Sequence, residues 1–173
     1  MKLEIGSGFN PHPGYTHLDL NGDMPCVEIV ADARKIPLDD NSVEKLVAYH
    51  VLEHFMWHEG ENILREWCRV IKPNGIIELG LPNLDNILKI YNCQDDSWKN
   101  DKGLNLDSQP YNAGTDKWEL LNHLLWGSSA KYNQHHAGWT YDALEKRLRQ
   151  VGFVDIKQQN PEFTHLTVTA KKG

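Results

Sequence analysis

Leu3-Glu4-Ile5-Gly6-Ser7-Gly8 decides how this chain reads, and His17-Leu18-Asp19-Leu20 completes it. The first stretch is an apolar run that ends in a glycine turn. The second is an apolar run closed by an acid. A strand, a glycine turn and an acid at the tip of the next strand form the arrangement that holds a nucleoside with a free ribose. Glycine lacks a Cβ and accepts positive φ, so a ligand can lie directly against the backbone. A carboxylate offers enough lone pairs for both ribose hydroxyls.

A nicotinamide dinucleotide fits poorly. Its site needs G-x-G-x-x-G, with the last glycine opening a helix whose N-terminus holds the pyrophosphate. Here Gly8 is followed by Phe9-Asn10-Pro11-His12-Pro13. Two prolines block helical continuation. The pattern therefore points to a nucleoside ligand that carries no phosphate.

The 173 residues suit one domain with a sizeable core. A net charge of −6 and the lack of any basic run argue against nucleic acid as a partner. Cys26, Cys68 and Cys93 are odd in number and show no metal spacing, so they read as reduced thiols of a cytoplasmic protein. No signal peptide and no apolar run of about twenty residues is visible, so no membrane partner is expected. Nine histidines and six tryptophans are many for this length. Several fall outside apolar periodicity, which places them at a site rather than in a core.

Strands are expected at 2–6, 15–20, 26–31, 44–49, 75–81, 152–158 and 164–171. Helices are expected at 59–72 and 140–151, with weaker patterns at 84–91 and 116–131. The alternation implies an α/β fold with a mostly parallel sheet. The links at 7–14 and 21–25 are too short for helical crossovers. The first crossovers should be loops, leaving one face of the sheet without its helices. Apolar surface exposed there would mark an interface, so a homodimer is expected unless residues 92–139 fold over that face. That polar, aromatic-rich stretch is too long for an ordinary connection and reads as a substrate-side insertion within a single domain, 1–173. Trp98, Trp118 and Trp126 would form its small core, Asp95-Asp96 a solvated pair, and Gly103, Gly114 and Gly127 the hinges of a lid.

Together these stretches resemble the class I S-adenosylmethionine (SAM)-dependent methyltransferases, most closely a small subgroup with an abbreviated N-terminus. Leu3 to Gly8 looks like the family's first motif. Ala31-Asp32-Ala33-Arg34-Lys35-Ile36-Pro37-Leu38 resembles the segment whose acid meets the adenine. Tyr49-His50-Val51-Leu52-Glu53-His54 resembles the stretch lining the methyl donor, and Leu64 to Gly75 the helix that leads into strand 5. The resemblance implies a Rossmann-like fold whose seven-stranded sheet has an antiparallel last strand. It also implies SAM as cofactor and methyl transfer to an O, N or C atom of a small molecule, a glycan or its precursor among the candidates. Position by position, Gly6, Ser7 and Gly8 would run beneath the methionine end, with Glu4 supporting the turn. Asp19, with Leu20 beside it, would bind the ribose. Asp32 would accept from the adenine amino group with Ala33 at the ring edge, and the His50 carbonyl would face the ammonium or methyl end. One departure is Asn10 at the third glycine position.

A general base helps when the acceptor is a hydroxyl, and histidine suits that role near neutral pH. The candidates are His50, His135 and His136. A SAM-binding regulator without activity is the rival reading, and formation of S-adenosylhomocysteine separates the two. His50, Glu53 and His54 also spell H-x-x-E-H, the inverted zincin pattern of a zinc-dependent hydrolase. On a helix, positions 50 and 54 would share a face. The residues before them read as strand, and the spacing supplies no third ligand, so no metal is expected.

Overall fold

Alternating apolar and polar residues extend the chain from its second residue. In the computed structural model, which describes residues 1–94, 116–127, 134–159, 161 and 164–173, β1 (Lys2–Ile5), β2 (Thr16–Asp19), β3 (Val27–Val30) and β4 (Val43–Tyr49) follow one another through loops. A short 3-10 turn (Leu52–His54) leads to α1 (Gly60–Val70), β5 (Ile71–Pro82) and α2 (Leu84–Asn92). Then come α3 (Lys117–Trp126), α4 (Tyr141–Gln150), β6 (Phe153–Gln159) and β7 (His165–Lys172). The sheet order is β3-β2-β1-β4-β5-β7-β6. Strands β1 to β5 are parallel, and β7 runs antiparallel to both neighbours. This is the Rossmann-like methyltransferase architecture expected from the sequence, including the antiparallel last strand and the loop crossovers.

Local chemistry explains the helix ends. Thr140 accepts at 3.2 Å from the Ala143 amide and caps α4. Asp116 accepts at 2.8 Å from the Glu119 amide and caps α3. Such caps satisfy amides that have no partner inside the helix. Helix α3 stops at Gly127, short of the expected residue 131, because Gly127 takes a φ of +70° and ends the helical run.

One face of the sheet is the core. Leu3, Ile5, Leu18, Leu46, Ile77, Leu79, Leu166 and Val168 lie under α1 and α4 and are almost fully buried. Trp67 of α1 is fully buried, and its indole N–H donates to the Ala33 carbonyl at 2.9 Å. The strand register puts Lys2, Glu4, His17, Lys45, Tyr49, Glu78 and Thr169 on the other face. No helix lies on that face among the described residues.

The apolar surface expected there is not what the fold leaves open. Lys45 pairs with Glu78 at 2.7 Å, the Tyr49 hydroxyl donates to Glu78, and the His12 ring stacks on Tyr49 with centroids 5.6 Å apart. Lys2 sits over the Tyr15 ring. A polar, mutually bonded face can meet water, so the missing helices need no second subunit in their place. Ile76 is the exposed apolar residue of β5 on that face, and other exposed apolar side chains lie elsewhere. Leu88, Tyr91, Trp118 and Trp126 are exposed on α2 and α3, whose shared core is Ile87, Ile90, Leu120 and Leu121. Trp118 and Trp126 are thus surface residues and not the small core expected of them. Trp98, Gly103, Gly114 and the Asp95-Asp96 pair lie outside the described residues.

Candidate active site

Parallel strands bring their carboxyl ends to one edge, and the turns that leave that edge build the site. Gly6 leaves β1 at φ +68°, and Gly8 follows at +52°. A Cβ on Gly6 would stand 2.5 Å from a Val51 methyl, so no larger residue fits between the turn and the segment after β4. The Gly6 amide donates to the Leu18 carbonyl at 2.8 Å. Asp19 closes the turn from β2. Its Oδ2 accepts from the Gly8 amide at 3.3 Å and its Oδ1 from the Asn21 amide at 2.9 Å. Leu20 is exposed beside it.

Glu4 supports this turn from below. It is buried, its Oε2 accepts from the His12 amide at 2.8 Å, and the rings of His12 and His17 meet its oxygens at 2.6 and 2.9 Å. These contacts hold the 9–15 loop against the sheet. Farther along the edge, Asp32 is gripped by Arg34, whose Nε lies 3.1 Å from both carboxylate oxygens. That side-chain hydrogen bond holds the Asp32 carboxyl below its ordinary value. Ala33 is buried next to it.

The second half of the edge is a knot of histidines around one buried acid. His50 follows β4 in the left-handed region, φ +53°, and its amide donates to the Gly80 carbonyl at 2.7 Å. Its Nδ1 lies 2.9 Å from Glu53 Oε1. The Glu53 side chain is 1% exposed. The Glu53 carbonyl accepts from the His136 and Ala137 amides at 2.7 and 3.2 Å. Those two bonds tie the end of the 92–139 stretch to the segment after β4. His135 then faces His54, with ring centroids 5.1 Å apart, while His165, at the start of β7, meets the His50 ring at 5.0 Å. Partial burial pushes the imidazole of His135 down from the ordinary value, favouring its neutral form.

A pocket of about 220 Å³ lies beyond the end of β5. Pro82, Leu84, Ile87, Leu124, Leu125, Trp126 and His136 line it, so its wall is mostly apolar. Pro82 pairs in register with His165, which places this pocket next to the histidine knot.

Residues 15–79 match the family model of the methyltransferase domain. The fold resembles a SAM-dependent methyltransferase from Thermotoga maritima at 14% identity and a TM-score of 0.63, covering 99% of this chain and 82% of that one. A SAM-dependent methyltransferase from Archaeoglobus fulgidus matches at 15% identity and 0.62, covering 98% and 85%. Human N-acetylserotonin methyltransferase in complex with SAM matches at 16% identity and 0.60, with 99% of this chain aligned to 47% of that one. No curated protein sequence matches the chain.

Residues 15–79 thus carry a methyltransferase-domain match, and the whole chain has the fold of the SAM-dependent methyltransferases. SAM is the cofactor of that domain family, and the residues present fit it. Ser7 Oγ is buried in the glycine turn with no hydrogen-bond partner among the described residues. A buried hydroxyl left alone is costly, and the polar methionine end of SAM would satisfy it. Asp19 keeps lone pairs beyond its two amide bonds for the ribose. Asp32 is already engaged by Arg34, so an adenine amino group would share that carboxylate.

Of the residues expected to act, the fold brings His50 and His135 together around Glu53. The adjacent histidines diverge: His135 turns into the knot, and His136 lines the apolar pocket. The helix face imagined for His50 and His54 does not exist. Only Leu52–His54 is helical, as a single 3-10 turn, and His50 precedes it in a left-handed conformation. Glu53 therefore orients His50 instead of sitting between two zinc ligands on a helix. His165 escaped the sequence reading altogether. Its one signal is that an antiparallel strand beside β5 must begin at the edge where β5 ends.

Proposed function

We propose that this methyltransferase acts on a hydroxyl or amine of a small ring-bearing acceptor, held with its apolar face in the pocket by Trp126 and His136. The supporting observation is adjacency. The glycine turn, the His50–Glu53 pair and the apolar pocket share one edge of the sheet. A planar aromatic ring or the apolar face of a sugar suits such a wall. SAM supplies the electrophilic methyl group on its sulfonium. The chain's own work is to place the acceptor in line, exclude water and receive a proton.

His50 is the base in this reading. Glu53 fixes its Nδ1 as the protonated nitrogen, which leaves the lone pair on Nε2. His135 and His136 position the acceptor from the returning insertion. A cytoplasmic location and no nucleic-acid partner belong to the same reading, supported by the net charge of −6. No helix among the described residues is long and apolar enough to cross a membrane. A homodimer, if formed, would use the exposed side chains of α2 and α3.

The test is an acceptor panel of phenols, hydroxylated heterocycles, amines and sugar nucleotides, read by S-adenosylhomocysteine. Asparagine tolerates the left-handed backbone at position 50, so His50→Asn isolates the side chain. Turnover should fall by about 100-fold while SAM affinity stays constant. Asp19→Ala should do the opposite, weakening SAM by about 1.5–3 kcal/mol. Full turnover in His50→Asn would remove the base from this residue.

A further inference from the structure

Glu53 is fully buried, and its Oε2 has no hydrogen-bond partner among the described residues. Its other oxygen is bonded by His50. A buried carboxylate half used is expensive, more so than a neutral group, and calls for a cationic or donor partner at Oε2. Two neighbouring imidazoles point to which partner. His54 Nδ1 lies 3.0 Å from the Gln134 carbonyl, and His135 Nδ1 lies 3.2 Å from the Leu124 carbonyl. A carbonyl only accepts, so each Nδ1 carries the proton and each Nε2 presents a lone pair. Backbone carbonyls holding Nδ1–H are the outer shell that usually orients metal-binding histidines.

We infer that Glu53, His54 and His135 form a binding site for one divalent ion of the zinc type. Their ligand atoms all lie within 4.8 Å of one another. Ligands about 2.1 Å from zinc stand roughly 3.4 Å apart in a tetrahedron, so a small side-chain adjustment closes the set. Two imidazoles favour zinc and its transition-metal neighbours over magnesium. Three protein ligands leave a position open. His50 binds the same carboxylate from the outer side. The sequence spacing offered only His50, Glu53 and His54; the fold exchanges His50 for a ligand far along the chain. Under the acceptor reading above, an acceptor oxygen would occupy the open position. The ion site itself does not depend on that reading.

The experiment uses the full chain stripped of metal, titrated with Zn2+ alone and, in parallel, with Mg2+ alone, by calorimetry and by metal analysis after gel filtration. One zinc per chain is expected, with magnesium much weaker. Glu53→Gln and His135→Ala should each lower zinc affinity by ~100-fold or more. His54→Ala, at a less buried position, guards against misfolding of the Glu53 variant. His58→Ala, an exposed histidine outside the set, should bind zinc as the parent does. SAM affinity, measured on each variant, reports that the fold is intact. Absence of stoichiometric zinc, equal affinity in His54→Ala and His135→Ala, an equal loss in His58→Ala, or a preference for Mg2+ would each overturn the site. Zinc binding that survives while no acceptor yields S-adenosylhomocysteine would keep the site and reject the acceptor reading.

Discussion

The two faces of the sheet are built by different physics. Under α1 and α4, side chains such as Leu46, Ile77 and Val168 are removed from water and held by burial alone. On the opposite face Glu4, His17, Lys45, Tyr49 and Glu78 are held to one another by hydrogen bonds and ion pairs. Burial is non-directional and scales with apolar area. Polar contacts gain little net free energy because water competes for the same groups. The difference explains how a parallel sheet, normally covered on both sides, keeps one side without helices among the described residues. That side behaves like the wet face of an antiparallel sheet.

The largest contrast is expected at Trp67. It is fully buried and also donates to the Ala33 carbonyl. Trp67→Ala should lower unfolding stability by about 3–5 kcal/mol, read as a shift of the urea midpoint at constant slope. A loss below about 1 kcal/mol would mean that the helical layer is not the main source of stability.

Glu4 comes next and asks whether the open face has a core of its own. Glu4 is buried and serves the His12 amide and the His12 and His17 rings together. Glu4→Gln keeps the shape but removes the charge and part of the accepting capacity. The expected loss is about 1–3 kcal/mol, with the 9–15 loop becoming more open to proteolysis. A loss as large as that of Trp67→Ala would break the comparison and make this network a second core.

Much of this division is legible in the chain itself. Lys2-Leu3-Glu4-Ile5 and His165-Leu166-Thr167-Val168-Thr169-Ala170 alternate strictly, the pattern of a strand with one wet face. The short crossovers announce the missing helices, while the alternation, read residue by residue, shows that the bare face is polar. The cofactor edge is legible for a related reason. Glycines and the acid at a strand tip act through backbone positions that short-range sequence determines. The histidine knot is not. Glu53 meets His135 only because the Glu53 carbonyl captures the amides of His136 and Ala137, and His165 arrives through strand pairing with Pro82. Contacts across such distances leave no periodic trace in a single sequence.

The smallest effect should come from the Lys45–Glu78 pair, which tests the open face at its most solvent-exposed kind of contact. Burial alone would push the Glu78 carboxyl up, but the ammonium of Lys45 and the hydroxyl of Tyr49 outweigh it and hold it below the ordinary value of 4.5. A carboxylate more acidic in the folded chain than in the unfolded one adds stability above its unfolded value. That stability is lost as pH falls through the folded value. Glu78→Gln should therefore be less stable than the parent at neutral pH, by about 0.2–1 kcal/mol for a partly exposed pair. The gap should shrink in acid, once Glu78 is protonated in the parent as well. Added salt at neutral pH should shrink it too, since ions screen exposed charges. Urea midpoints of both proteins across acid and neutral pH, at low and high salt, check this. A gap that ignores both pH and salt would assign Glu78 to packing and erase the electrostatic half of the contrast between the faces.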